Sequence, residues 1–194
     1  MKAMKIGFPA VAGKGATVLI LGTMPGAESL RKGEYYGHSR NAFWFIMGRV
    51  LNKETAGLSY TAKKEMLKAD KIALWDVIKA CERKGSLDTS IIAESIVIND
   101  FAAFYSAHRS IRRVFFNGAH AETEYRKRVL PLLPDSFKGM KYTRLPSTSP
   151  AMATLTRECK LAAWSAIINP KIAVKVGPLR RISTAIFGRL KDKG

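Results

Sequence analysis

Short apolar runs alternate along this chain with longer stretches of helical period. Ala16 to Gly22 is apolar on both faces and partly β-branched, the pattern of a strand in the middle of a parallel sheet. Ile72 to Trp75, Arg113 to Phe116 and Lys141 to Leu145 are further strand candidates, and the second of these stops at Asn117-Gly118. Between them, Ala42 to Leu51 predicts a helix with Phe43, Ile46, Met47 and Val50 on one side. Further helices are predicted over Thr61–Ala69, over Asp100–Ala107 with Phe101, Phe104 and Tyr105 inward, and over Ala119–Leu130, closed by Pro131 and Pro134. A last helix is predicted over Thr154–Ile168, ended by Pro170. Two stretches show no period. Thr23 to Arg40, rich in Gly, Pro and Ser, reads as a loop, and Asp76 to Ser90 as an irregular connection.

Strands alternating with helices predict an α/β fold of three layers, α/β/α, around a central four-stranded, mostly parallel sheet. Ligands of such folds gather beyond the carboxyl ends of the strands. The segments after Leu21 and after Leu145 both stand at such ends. The length suits one domain, 1–170, followed by a tail, 171–194, with seven basic residues and a single acid, Asp192. That tail fits a solvated basic extension and extra nonspecific DNA contact equally well, with a short amphipathic helix near Ile182 to Leu190.

Charge narrows the choice of partner. Thirty-three Lys and Arg against fifteen Asp and Glu give a formal net charge of +18, which attracts polyanions. Nucleic acid is the leading candidate and an anionic membrane surface the second. Two distant cysteines, Cys81 and Cys159, with no Cys-x-x-Cys pair, exclude an iron–sulfur cluster or a cysteine-built zinc site and fit a reducing compartment. No apolar run approaches the roughly 20 residues of a membrane span, and no secretory h-region follows Met1, so a cytoplasmic, nucleoid-associated protein is expected. A monomer is the default assembly.

Two segments carry candidate chemistry. The first runs from Gly22-Thr23-Met24-Pro25-Gly26 through Tyr35-Tyr36-Gly37-His38-Ser39-Arg40-Asn41-Ala42-Phe43-Trp44. A glycine–proline turn at a strand end lets backbone N–H groups approach a ligand closely. Four aromatics, a histidine and an amide then follow within ten residues, a set suited to a flat heterocycle that needs stacking and edge hydrogen bonds. The second, Leu145-Pro146-Ser147-Thr148-Ser149-Pro150-Ala151, is small and hydroxyl-rich and could grip phosphates without bulk. Plainer roles compete. Phe43 and Trp44 fit a core, Asn41 fits a helix cap, His38 fits a surface position, and Ser149-Pro150 fits a helix start. Tyr35 and Tyr36 are adjacent and should face opposite ways, so at most one of them stacks on a ligand. The G-x-G-x-x-G fingerprint of dinucleotide-binding folds is missing after the first strand.

Together the two segments resemble motifs 1 and 2 of the uracil-DNA glycosylase superfamily: a strand, then Gly-x-x-Pro-Gly, an aromatic and Asn-x-Phe-Trp, with Leu-Pro-Ser-Thr-Ser-Pro-Ala later in the chain. The Gly22–Gly26 turn with Tyr35-Tyr36 is most similar to the hypoxanthine-DNA glycosylase branch, the sixth family. The resemblance covers roughly Ala16 to Ile168, and marks 1–170 as the glycosylase domain. One position separates the branches. Mismatch-specific uracil glycosylases carry a water-activating asparagine where this chain has Met24, and a thioether cannot polarise water. The hypoxanthine branch is apolar there and uses a later asparagine, matched here by Asn41.

The resemblance implies a monofunctional enzyme of base excision repair, without cofactor or metal, that flips a deaminated base out of double-stranded DNA; single-stranded DNA is a further candidate substrate. Asn41 would hold the base or position the attacking water, and His38 would donate to the departing base. Gly22, Met24, Pro25, Gly26, Tyr36 and Phe43 would form the base pocket, with backbone amides near Met24 and Gly26 on the base oxygen. Tyr36, ahead of Phe43, would stack on the base. Ser147, Thr148, Ser149, Pro150 and Ala151 would contact DNA, Ser147 and Thr148 through flanking phosphates, with Pro150, Ala151 or Met152 filling the gap in the helix. A uracil or mismatch glycosylase and a non-catalytic nucleic-acid-binding domain are the alternatives.

Overall fold

A computed structural model describes residues 4–169. The basic tail and its candidate helix lie outside the described residues. Among the described residues there are seven strands: β1 (Lys5–Ile6), β2 (Val18–Gly22), β3 (Ile72–Asp76), β4 (Ile78–Cys81), β5 (Val97–Ile98), β6 (Arg113–Asn117) and β7 (Lys141–Leu145). The helices are α1 (Ala27–Lys32), α2 (Phe43–Val50), α3 (Tyr60–Ala69), α4 (Phe101–Ala107), α5 (Ala119–Glu124), α6 (Asp135–Lys138) and α7 (Arg157–Trp164).

The four predicted strands form one sheet in the order β3-β2-β6-β7, every pair parallel. β2 and β3 are buried along their whole length, because helices cover both faces of the sheet. Fully buried side chains such as Leu19, Ile20 and Leu21 each contribute about 1.5–3 kcal/mol through removal from water. The chain leaves β2 for β3 on one side, then crosses to β6 on the other. The order therefore reverses between β2 and β6, and a crevice at such a reversal is where ligands of open α/β sheets sit. The two candidate segments follow β2 and β7, so the topology brings them to this one edge.

Local chemistry explains the helix ends. Ser59 caps α3 by accepting from the Ala62 N–H at 3.2 Å, and Asp100 caps α4 by accepting from Ala103 at 2.9 Å. Thr156 caps α7 through the Cys159 N–H, so that helix starts at Arg157 and not at Thr154. The helix predicted over Ala119–Leu130 holds regular form only to Glu124, then widens over Tyr125–Val129 and tightens over Leu130–Leu132.

Two stretches read as irregular carry structure. Inside Thr23–Arg40, α1 is framed by Gly26 and by Gly33, whose φ of 69° suits a glycine at a helix end. It lacks an apolar stripe to announce it, and Glu28 pairs instead with Arg31 and Lys32 on one exposed side. Inside Asp76–Ser90, β3 gives way at Val77 to β4, which pairs antiparallel with β1 and β5 in a second, small sheet. Its partners are only two residues long, too short for any period to show. Among the described residues no helix is long and apolar enough to cross a membrane.

Candidate active site

Gly22 ends β2 directly opposite Asp76, the last residue of β3. A Cβ on Gly22 would lie 2.2 Å from Asp76 Oδ1 and 3.0 Å from the Tyr36 hydroxyl, so only glycine fits. Beyond it, the Met24 side chain turns away from the sheet edge into a small cluster with Ile78 and Cys81, whose thiol donates to its sulfur at 3.1 Å. Met24 can therefore line a base pocket only through its backbone. The Pro25 carbonyl accepts from Arg83 Nη2, and the Ala27 N–H donates to Ser86 Oγ at 3.0 Å. The turn is thus clamped by residues 83–86. Gly26 begins α1 in extended conformation.

The two tyrosines separate as their adjacency predicts. Tyr35 is buried, with its hydroxyl donating to the Phe8 carbonyl at 3.1 Å and its own carbonyl accepting from Trp44 Nε1 at 2.9 Å. Tyr36 adopts a left-handed φ of 55°, uncommon for a bulky residue, which throws its ring the other way. That ring stacks on Phe43 with centroids 3.9 Å apart and planes 19° from parallel. Phe43 is fully buried between Tyr36, Trp44 and Trp164, so Tyr36 already occupies the face it would offer a base. Tyr36 keeps some exposed surface.

Asn41 is both a turn residue and a presented amide. Its N–H donates to the His38 carbonyl at 2.8 Å, and its Oδ1 accepts from the Phe43 N–H at 3.0 Å. The second bond fixes the amide plane and leaves Nδ2 with no partner among the described residues. His38 Nδ1 accepts from the Arg40 N–H at 3.1 Å, which places the proton of the neutral ring on Nε2.

The two motifs meet at Thr148. Its carbonyl accepts from the Ala42 N–H at 3.1 Å, one residue after Asn41. Its N–H and hydroxyl are both engaged by Asn117, at the end of β6: Thr148 N–H donates to Asn117 Oδ1 at 2.8 Å, and Asn117 Nδ2 donates to Thr148 Oγ1 at 2.9 Å. Thr148 is 1% exposed, so its side chain holds the site together and cannot reach a phosphate, contrary to its expected role. Ser147 and Ser149 are half-buried, with the Ser149 N–H on Ser147 Oγ and the Ala151 N–H on Ser149 Oγ. No helix starts at Ser149; Pro150, Ala151 and Met152 form an exposed tip instead. The buried Lys160 ammonium holds that tip by donating to the Met152 carbonyl at 2.8 Å, and Trp164 Nε1 donates to the Pro146 carbonyl at 2.9 Å.

A polar cluster absent from the sequence reading lies behind the first turn. Tyr36 OH, Asp76 Oδ2, Arg83 Nε and Nη1, and His120 Nε2 are all buried without a hydrogen-bond partner among the described residues. Arg83 Nη1 stands 3.7 Å from the Asp88 carboxylate, and the Arg83 side chain is wholly buried. Burial above all, then the charge of Asp88, pushes the Asp76 carboxyl up to about 8, and Arg83 only partly opposes this. Burial also raises Asp88, against the pull of Thr23, His120 and Arg83. A polar residue closing an otherwise apolar strand, as Asp76 and Asn117 do, was the available signal.

Residues 9–168 match the Uracil DNA glycosylase superfamily, and the chain belongs to it. Within it, the chain is 38% identical over 168 residues to the Hypoxanthine DNA glycosylase of Methanosarcina acetivorans, covering 86% of this chain and 99% of that one. It is 41% identical over 114 residues to the Hypoxanthine DNA glycosylase of Methanosarcina barkeri, 59% of this chain and 71% of that one. The fold is similar to the solution NMR structure of a candidate uracil DNA glycosylase from Methanosarcina acetivorans. There the TM-score is 0.70 at 35% identity, covering 85% of this chain and 96% of that one.

Proposed function

We propose that this chain is a monofunctional DNA glycosylase of base excision repair, with hypoxanthine in DNA as its main substrate. It would act on double-stranded DNA as a monomer at the nucleoid in the cytoplasm. One observation carries the reading at the level of chemistry: the bond from Ala42 to Thr148 seats Asn41 beside the second motif, with one side of its amide tied down and the N–H₂ side without a partner among the described residues. The names of the two Methanosarcina relatives support the substrate.

The reaction breaks the bond between the sugar C1′ and the base nitrogen, whose electron pair leaves with the base. Water supplies the hydroxyl that C1′ gains and a proton. An amide is no general base near neutral pH, so Asn41 works by orientation. Its Nδ2 donates to the departing base while the remaining lone pair of Oδ1 accepts from the attacking water. His38 Nε2–H is a second donor at the same loop. Tyr36, backed by Phe43, offers the stacking surface, and the backbone N–H groups of Met24 and Gly26 face the base oxygen. The Pro150–Met152 tip enters the duplex where the base has left, and Ser147 and Ser149 contact flanking phosphates. The formal charge of +18 supplies sequence-independent attraction to DNA.

The test is base release from duplexes carrying one hypoxanthine, uracil or xanthine. Hypoxanthine release ahead of the others supports the reading. Uracil release as the main activity reassigns the substrate, and no release from any duplex leaves a DNA-binding domain.

A further inference from the structure

Phe45 is a large apolar side chain left on the surface of α2. It follows the buried Phe43 by two residues, so it points about 200° further round the helix, and it is 39% exposed. Two guanidiniums converge on its ring. Arg49, one turn along α2, and Arg157, the first residue of α7, each bring Cζ to 5.6 Å from the ring centroid. The two cations thus stand within about 11 Å of each other and repel. Neither forms an ion pair among the described residues. The carboxylates that feel them are engaged elsewhere: Glu54 accepts from the Thr55 and Ala56 N–H groups at 2.9 Å, and Glu158 from its own N–H and from Thr156. An exposed ring beside two cations without carboxylate partners matches a nucleotide, which brings a flat base and a phosphate together.

We propose that Phe45, Arg49 and Arg157 form a stacking platform for an unpaired nucleotide, by which the enzyme grips single-stranded DNA beside the lesion. This deepens the proposed glycosylase function and rests on it. The platform adjoins the site. Phe45 is four residues past Asn41, so it lies within about 14 Å of it, or about four nucleotides at duplex spacing. Arg157 follows the Pro150–Met152 tip, which Lys160 ties to the same helix, and α7 packs on α2. A strand leaving the pocket past the tip therefore meets Arg157 and then Phe45. In a duplex both faces of each base are covered by its neighbours, so only an unpaired base can offer a face to the ring. The base takes the Phe45 ring, while the arginines turn to the flanking phosphates and lose their mutual repulsion. A groove of about 210 Å³ beside the ring, edged by Arg49, Asn52, Lys53 and Glu54, gives the base room.

The experiment is fluorescence anisotropy with the full chain on an undamaged single strand and its matched duplex, for wild type, Phe45→Leu, Phe45→Trp and Arg157→Gln. Leucine keeps the apolar cover and removes the stacking face. Phe45→Leu should bind the single strand about tenfold more weakly and the duplex within about twofold of wild type. Phe45→Trp should keep single-strand affinity, since its ring stacks at least as well. Arg157→Gln should flatten the slope of log K against log salt on the single strand by about 0.7, the loss of one phosphate contact. Equal loss on strand and duplex would overturn the proposal and make Phe45 a contact to the duplex backbone. Unchanged affinity for both would overturn it too, and leave the arginines as cover for the ring. If Phe45→Leu fails to fold, Arg157→Gln decides, and an unchanged single-strand slope sinks the platform. Wild type that binds DNA but releases no hypoxanthine would instead sink the glycosylase reading, a result separate from the comparison of strand with duplex.

Discussion

Thr148 and Asn117 are joined by two hydrogen bonds, 2.8 Å and 2.9 Å long, that close a ring between the ends of β6 and β7. Both residues stand at the sheet edge, and the Thr148 carbonyl then carries the tie to Ala42. Sheet, first motif and second motif are locked through one buried threonine. Thr148→Val keeps the shape and both backbone bonds but strands Asn117 Nδ2. We expect a loss of about 1–3 kcal/mol in denaturant unfolding, the cost of one unpaired buried donor. Hypoxanthine release should fall with it. A melt unchanged from wild type would show that the ring is not structural.

Asn41 can be split into its two roles. Asn41→Asp keeps an oxygen for the Phe43 N–H and loses the Nδ2 donor, whereas Asn41→Ala loses both. The account predicts near-wild-type stability for Asn41→Asp and a cost of about 1 kcal/mol for Asn41→Ala. Both should lose base release by about two orders of magnitude or more. Thermal melts beside single-turnover rates check this. An active Asn41→Asp would reduce Asn41 to a turn residue.

Gly22 tolerates no side chain while Asp76 stands opposite. Gly22→Ala places a carbon 2.2 Å from Asp76 Oδ1, and overpacking of this kind typically costs about 1–3 kcal/mol. Combining it with Asp76→Ala should return part of that cost, because the clashing oxygen is gone. A double-mutant cycle on unfolding free energies measures the coupling. Strict additivity would mean that the two residues do not meet.

Asp76 also makes stability depend on pH. Its carboxyl sits near pH 8 in the fold against an ordinary value of 3.8. The neutral group's contribution is therefore complete below about pH 4 and is lost as pH rises toward 8. Asp76→Asn has no such loss. Its stability advantage over wild type should widen by up to a few kcal/mol between pH 4 and pH 8, then level off. Melting temperatures of the two proteins across that range test the sign. A gap that narrows with rising pH would contradict it.

Much of this was legible in the sequence for physical reasons. β2 and β3 are apolar on both faces because both faces are buried, and α2 shows its period because one side meets the core. The two motifs stand at strand ends, so an α/β sheet had to bring them to one edge. α1 and β4 were not legible, since one is held by charge pairs and the other by two-residue partners. Asn41 does not cap α2, whose N-cap is Ala42; its oxygen closes a turn onto the Phe43 N–H and leaves its nitrogen for a ligand. The resemblance implies a base contact for Phe43 and a phosphate contact for Thr148. Burial turns both inward, Phe43 as the support of Tyr36 and Thr148 as the lock on Asn117. Asp76 and Arg83 were missed because their meaning lies in contacts across the sheet edge, which no local pattern records.

The central claim is an Asn41-dependent glycosylase with hypoxanthine as its main base. Release from matched duplexes carrying one hypoxanthine, uracil or xanthine, by wild type and Asn41→Asp, tests it most directly. The account predicts fastest release of hypoxanthine by wild type, and loss of that release in a variant that melts normally and still binds the duplex. Equal release by the two proteins, or uracil as the preferred base, would contradict it.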